Sequence, residues 1–256
     1  MVAVVPFRPS RAIALVVCLV LPAVPATASS GRNIVLVHGM NMDGSAWRAV
    51  SDRLGADGHR VTVVQLPLTS VADDVAATRR ALELQDGPVV LAGHSYGGMV
   101  ISQAGTDPDV RALVYVAAFQ PERGESLGSL NASAPAAMPA DAVRVFDDGY
   151  YLVAPDAWVA DVATGLPEAD ARFSALSQAA SNTSIFGYEA EAAAWRDVPV
   201  WSAIATGDRA VSPELQRRMS ARSGATVVEI DAGHLLPMTN PDEVAALIEA
   251  AAAAID

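Results

Sequence analysis

Ser95, Asp208 and His234 are the residues whose types and settings could together do covalent chemistry, the transfer of an acyl group through a serine ester. A serine hydroxyl is a weak nucleophile at neutral pH and needs a base within hydrogen-bond reach. Ser95 sits in Gly93-His94-Ser95-Tyr96-Gly97, after the apolar run Pro88-Val89-Val90-Leu91. The residues that follow, Met99-Val100-Ile101-Ser102-Gln103-Ala104, can continue as a helix. Gly-x-Ser-x-Gly between a strand and a helix describes a sharp turn that lifts the serine Oγ clear of the strand end. Its glycines remove Cβ atoms that would clash in so strained a turn. A glycine-rich turn with an incidental serine has the same five residues, so the partners decide.

Four histidines are available as the base. His38 belongs to a His-Gly pair after the first apolar run, His94 is bound into the turn itself, and His59 lies in a helix-to-strand connection. His234 remains, in Asp231-Ala232-Gly233-His234, directly after the last strand candidate. Loops at the C-terminal ends of parallel strands are where such sheets place ligands and chemistry. The base needs a carboxylate to hold its tautomer. Asp208, in Thr206-Gly207-Asp208, ends the preceding strand candidate and is expected on the same sheet edge. It also suits capping of the approach to the helix at Ser212. The rival, Asp231, is three residues before His234 and badly placed to reach round to Nδ1. Two backbone N–H groups, those of Met40 and Tyr96, are the candidate oxyanion donors, one after the first strand and one after the nucleophile. Losing one such donor typically costs about 10²–10³ in rate.

The elements that must position these groups follow from the pattern. Arg32-Asn33-Ile34-Val35-Leu36-Val37 is a continuous β-branched run of the kind buried on both faces of a parallel sheet. Residues 45–56 read as a helix with Ser45 as N-cap and Gly58 ending it. Residues 60–66 read as strand, 70–84 as helix, 88–93 as the strand into the turn, and 110–117 as a further strand. The alternation predicts right-handed βαβ units. It breaks over about 120–197, a stretch too long for an ordinary loop and carrying Trp158, Phe173, Leu176 and Trp195, hence an inserted cap. In that stretch 149–153 suggests a strand, and 155–163 and 167–180 suggest helices. Alternation resumes with strands at 199–206 and 225–230 and helices at 212–223 and 241–254.

Composition narrows the classes. A chain of 256 residues, 52% hydrophobic, is long enough for one large α/β core. A net charge of −12 leaves no basic surface for phosphates, so no nucleic-acid partner is expected. All 17 basic residues are arginine, which rules out Schiff-base and P-loop chemistry through lysine. No His/Asp/Glu cluster has metal-site spacing, so no metal is expected.

The first 28 residues read as a secretory signal peptide. Arg8 and Arg11 precede an apolar stretch from Ala12 to Val24, and Ala26-Thr27-Ala28 fits a cleavage site. The run is about a dozen residues against the roughly 20 of a membrane span. An uncleaved anchor is the alternative. The single cysteine, Cys18, lies inside this stretch, so a mature chain over 29–256, one domain with its cap, would have neither disulfide nor thiol chemistry. The expected location is secreted or periplasmic, without stable membrane insertion. No residue pattern speaks for an oligomeric state.

Taken together, Val35-Leu36-Val37-His38-Gly39, Gly93-His94-Ser95-Tyr96-Gly97-Gly98, Thr206-Gly207-Asp208 and Ala232-Gly233-His234 resemble the α/β-hydrolase superfamily over essentially the whole mature chain. The order nucleophile, acid, base agrees with it. Asp148-Gly149-Tyr150, the turn from Asp208 to Pro213 and the run from His234 through Pro241 to Val244 narrow the resemblance. They are similar to the small serine esterase branch related to plant methyl-ester hydrolases and hydroxynitrile lyases. The resemblance implies a mostly parallel sheet flanked by helices, a cap shaping an apolar pocket, and a hydrolase needing no cofactor. The lyases of the branch use a lysine near the histidine. Here Leu235-Leu236 follow His234 and the chain has no lysine, which disfavours cyanohydrin cleavage. A serine at position 95 also departs from the aspartate nucleophile of dehalogenases.

The expected activity is hydrolysis of small or medium uncharged carboxylic esters through an acyl-enzyme, rising with pH as the base loses its proton. Lactones and thioesters remain open as substrates. Met40, Tyr96, Tyr151, Trp158 and Phe186 are the expected pocket side chains. The alternatives are an acyltransferase or perhydrolase on the same triad, and a non-catalytic ligand-binding protein of the same fold.

Overall fold

The computed structural model describes residues 31–255, so the expected signal peptide and Cys18 lie outside the described residues. In chain order the strands are β1 (Asn33–Val37), β2 (Arg60–Val64), β3 (Val89–His94), β4 (Val110–Val116), β5 (Val143–Val145), β6 (Tyr150–Val153), β7 (Ser181–Asn182), β8 (Val200–Ala205) and β9 (Thr226–Ile230). The helices are α1 (Arg48–Ala56), α2 (Val71–Leu82), α3 (Gly97–Ala104), α4 (Leu127–Ser133), α5 (Pro155–Ala157), α6 (Glu168–Leu176), α7 (Pro213–Ser223), α8 (Leu236–Thr239) and α9 (Pro241–Ala253).

Six strands form one parallel sheet in the order β2-β1-β3-β4-β8-β9. Alternate side chains of a strand leave opposite faces, and β1 divides its burial accordingly. Ile34 and Leu36 pack with Trp47, Leu54 and Ile248 of the α1 and α9 side. Val35 and Val37 pack with Leu82, Met99 and Leu215, under α2, α3 and α7. Both layers are therefore apolar, which is why the central strands read as unbroken hydrophobic runs. This is the α/β-hydrolase arrangement expected from the sequence.

The chain between β4 and β8 builds the cap. It holds α4, a small antiparallel sheet in the order β5-β6-β7, and α5, which runs into a π-helical turn over Trp158–Val162 before α6. Its own core includes Tyr151, Val153, Trp158, Val162 and Ala171, packed on Met42 and Leu235 from the loops below. Three local expectations change. The helix at 45–56 starts as a 3-10 turn capped by Asp43, which accepts the Ser45 N–H at 2.7 Å, so Asp43 takes the role given to Ser45. The helix expected over 155–163 divides, and that over 167–180 stops at Leu176. Finally, β5, β7 and α4 carry too few residues and too little periodicity to show in the sequence.

Candidate active site

β3 ends at His94, and the turn into α3 puts Ser95 at φ +55°, a left-handed conformation costly for a residue with a side chain. The close approach behind it needs glycine: a Cβ on Gly97 would lie 2.6 Å from the Val37 carbonyl oxygen. β8 and β9 end beside this turn and supply Asp208 and His234 from the loops that follow. Their side chains meet. His234 Nε2 is 2.9 Å from Ser95 Oγ, and His234 Nδ1 is 2.7 Å from Asp208 Oδ2. All three residues are nearly buried.

Asp208 does two things with its two oxygens. Oδ1 accepts from the N–H groups of Ala210 and Val211 at 2.8 and 2.9 Å, closing the turn before α7. Oδ2 accepts from Gln216 Nε2 at 2.8 Å and faces His234. The capping role considered for it and the role of histidine partner thus coexist. Asp231 points elsewhere, its Oδ1 3.4 Å from Thr206 Oγ1.

The two candidate oxyanion donors belong to peptide units pinned from their carbonyl ends. The Ser95 carbonyl accepts from Gly98 and Phe119 N–H at 3.0 and 3.1 Å. In a trans peptide the Tyr96 N–H points the opposite way. The Gly39 carbonyl accepts from His38 Nδ1 at 2.8 Å, which turns the Met40 N–H away from it in the same manner. Among the described residues neither N–H donates in a backbone hydrogen bond. His38 accepts the Leu66 N–H on Nε2 at 3.0 Å, and burial lowers its pKa, so the ring is held neutral between two loops.

His94 is the other buried imidazole. Its Nε2 donates to the His234 carbonyl at 2.9 Å, its ring lies 4.8 Å from that of His234, and its Nδ1 has no partner. Burial first, then the neighbouring His234, pushes its pKa well below the ordinary histidine value. A neutral ring is what this geometry can hold. Sequence reasoning assigned His94 only a place in the turn.

A cavity of about 570 Å³ opens onto Ser95 and His234. Met40, Tyr151, Trp158 and Phe186 line it as expected, with Met42 and Met138. Tyr96 does not. Its side chain is fully buried away from the cavity and donates its hydroxyl to Asp74 Oδ2 at 2.5 Å. Tyr96 already has helical backbone angles at the start of α3, and its bond to Asp74 holds the ring on that side, a tertiary contact that composition cannot report. Asn41, also missed, ties the loop after β1 to the cap: its N–H donates to Ser181 Oγ at 3.0 Å and its Nδ2 to the Tyr151 carbonyl at 3.1 Å. Among the described residues no group of three or more His, Cys, Asp or Glu is placed to hold a metal ion, and no helix is long and apolar enough to cross a membrane.

Comparison with known proteins places these features. Residues 34–247 match the profile described as "Alpha/beta hydrolase family". A carbendazim hydrolyzing esterase of Nocardioides sp. (strain SG-4G) is 36% identical over 140 residues, 48% of this chain and 56% of the relative. Methylesterase 8 of Arabidopsis thaliana is 32% identical over 110 residues, 37% of this chain and 40% of the relative. The chain therefore matches about half the length of these relatives. Among solved structures, a pyrethroid hydrolase from Sphingobium faniae JZ-2 superposes with a TM-score of 0.73 at 22% identity, covering 87% of this chain and 98% of that one.

Proposed function

The chain belongs to the alpha/beta hydrolase family, and from that premise we propose that it is a serine hydrolase cleaving neutral carboxylic esters through an acyl-enzyme. The observation that carries this reading is the continuous chain Ser95 Oγ, His234 Nε2, His234 Nδ1, Asp208 Oδ2, with contacts of 2.9 and 2.7 Å. Ser95 Oγ attacks the ester carbonyl and gives its proton to His234 Nε2. Asp208 keeps Nδ1–H directed at itself and stabilises the imidazolium. The N–H groups of Tyr96 and Met40 receive the charge that develops on the carbonyl oxygen. The intermediate collapses as His234 protonates the leaving alcohol. Water, losing its proton to His234, then attacks the acyl-enzyme and frees the acid. The relatives' esterase and hydrolase names support the reaction class.

The cavity supports the substrate class. Its lining carries no aspartate, glutamate or arginine, and is dominated by methionines, aromatics and aliphatic residues. A charged acyl or alcohol part would lose its hydration there without compensation. The test is hydrolysis of a short p-nitrophenyl ester series beside Ser95→Ala. A loss of at least about 10³ in kcat is expected. Equal turnover by both proteins would refute the serine mechanism. Adding an alcohol or peroxide as competing acyl acceptor separates hydrolysis from acyl transfer.

We also propose that residues 1–28 direct export and are removed, leaving a secreted or periplasmic enzyme. The charged start, short apolar run and Ala26-Thr27-Ala28 support this. N-terminal sequencing of the exported protein should begin at Ser29, and a product retaining Met1 in the cytoplasm would refute it.

A further inference from the structure

Beside the cavity of about 570 Å³ over Ser95 lies a second, smaller one of about 50 Å³. Asp43, Ser45, Ser174 and Ser177 take part in its lining. Asp43, Ser45 and Ser177 are exposed, so its rim faces solvent. Three residues, Asn41, Met42 and Trp158, line both spaces and form the partition between them. Trp158 is the largest of the three.

That indole is held in place from several directions. The Trp158 N–H donates to the Ala154 carbonyl at 2.8 Å, and its own carbonyl accepts from Ala163 at 2.8 Å. Nε1 donates to Ser174 Oγ at 2.9 Å, a residue of the side pocket and not of the main cavity. Trp158 also opens the π-helical turn, whose Asp161 pairs with Arg209 at 2.5 Å and so ties that backbone to the loop after β8. Such turns are uncommon and occur often at functional sites. Trp158 is only 3% exposed, so the indole is packed as a wall and does not stand free in either space.

We propose that Trp158 is a specificity-determining residue whose indole closes the substrate cavity against the side pocket and so limits the length of the ester chain directed at it. The proposal rests on the serine-hydrolase reading of the cavity and names the neutral esters it takes, those whose chain stops short of the indole. Removing the indole joins the two spaces. A chain too long for the wild type then runs on past Met42 towards Ser177. Each methylene it newly buries is worth about fourfold in binding.

The probes are p-nitrophenyl alkanoates from acetate to dodecanoate, which lengthen the acyl part, and n-alkyl butyrates from methyl to decyl, which lengthen the alcohol part. In one of the two series Trp158→Ala should raise kcat/KM just beyond the wild-type optimum by about tenfold relative to the shortest ester. Trp158→Leu keeps more of the apolar packing, should shift the same series less, and serves if the alanine variant does not fold. Ser177→Trp, on the rim of the side pocket, should leave the wild-type profile unchanged and take back most of the gain when added to the Trp158 variant. A Trp158 profile that only scales down at every length, or a gain that Ser177→Trp leaves intact, would overturn the proposal. Calorimetric titration of the same esters into Ser95→Ala, with and without the Trp158 substitution, reads length selection without turnover. The same length dependence in both would overturn it even if hydrolysis proved absent. Failure of the hydrolase reading shows separately, as wild-type turnover that Ser95→Ala does not reduce.

Discussion

Tyr96, the residue directly after the candidate nucleophile, donates its hydroxyl to Asp74 on α2 at 2.5 Å, and both side chains are fully buried. The other oxygen of Asp74 accepts the Leu68 N–H at 2.8 Å, and the Leu68 carbonyl accepts from Asn182 of β7 at 2.9 Å. One carboxyl thus joins the turn at Ser95 to the loop that hydrogen-bonds to the cap sheet. Burial drives the Asp74 pKa up to about 6, against the lowering effect of the Tyr96 and Leu68 bonds, with nearby Asp73 adding to the rise.

The consequence is a stability slope of unusual sign for a carboxyl group. Between the ordinary value near 3.8 and about 6, folded Asp74 keeps a proton that the unfolded chain has released. Stability from this group is therefore present at low pH and is lost as pH rises towards 6. Relative to Asp74→Asn, the wild type should lose about 3 kcal/mol between pH 3.5 and 7. Tyr96→Phe removes a bond that favours the charged form and should move the midpoint upward. Denaturant unfolding at a series of pH values checks both, and a wild-type-to-variant difference that does not vary with pH would show Asp74 charged throughout.

None of this was legible in the sequence, for a definite reason. Asp73-Asp74 in the first turn of a helix reads as a solvated pair favoured by the helix dipole, and only tertiary packing buries one of them. The residues that proved readable are of the opposite kind. β1, β3, β4 and β8 are buried on both faces and show as continuous apolar runs. Ser95 and Asp208 each follow such a run, and His234 follows the exposed edge strand β9, so their meeting at one end of the sheet follows from parallel topology. The cap resists because β7 has two residues and β5 three, too few for periodicity to register. α4 has seven, and its Asn131 interrupts the very stripe that would have announced it.

Asp208 should separate chemistry from folding when substituted. In Asp208→Asn the amide oxygen can still accept from Ala210 and Val211. The amide nitrogen then faces His234 Nδ1 and makes it an acceptor, which puts the ring proton on Nε2 against Ser95. Gln216 cannot turn to accommodate the change, because its Oε1 already accepts the Ala205 N–H at 3.1 Å. On the proposed mechanism kcat falls by about 10³–10⁴ with KM within a few fold. Asp208→Ala should match that loss in kcat and also melt lower, since the turn loses its acceptor. A kcat for Asp208→Asn within tenfold of wild type would remove Asp208 from the proton path.

His38 is predicted to act on the oxyanion side through the Gly39 carbonyl. His38→Ala frees that peptide unit and with it the Met40 N–H, so kcat should fall by about 10–10², the scale of a loosened donor rather than a deleted one. Because burial lowers the pKa of His38, its folded ring stays neutral while an unfolded one gains a proton below about 6.5. The wild type should therefore lose stability as pH falls below that value, and the variant should show a smaller loss. Steady-state kinetics with acid-limb unfolding measurements tests the two effects together. A variant with wild-type kcat would leave His38 with a purely structural part.

Gly39 offers the sharpest steric test. A Cβ there would lie 2.8 Å from Ser95 Cβ, 3.2 Å from His94 Nδ1 and 3.3 Å from Ser95 Oγ. Ser95 cannot retreat, because its φ of +55° is already strained and its carbonyl is held by two N–H donors. Nor can His94 move freely, since its Nε2 is tied to the His234 backbone. Gly39→Ala should displace Ser95 Oγ from His234 Nε2 by a few tenths of an ångström. Misplacement on that scale is expected to lower kcat by about 10-fold to 10²-fold. The control is Gly55→Ala, in α1, where a Cβ meets nothing within 4 Å and stability should rise by about 0.5–1 kcal/mol. If Gly39→Ala kept full kcat while Gly55→Ala behaved as expected, the loop after β1 would have to yield more readily than the nucleophile it touches. The Met40 N–H would then be too loosely held to serve as an oxyanion donor.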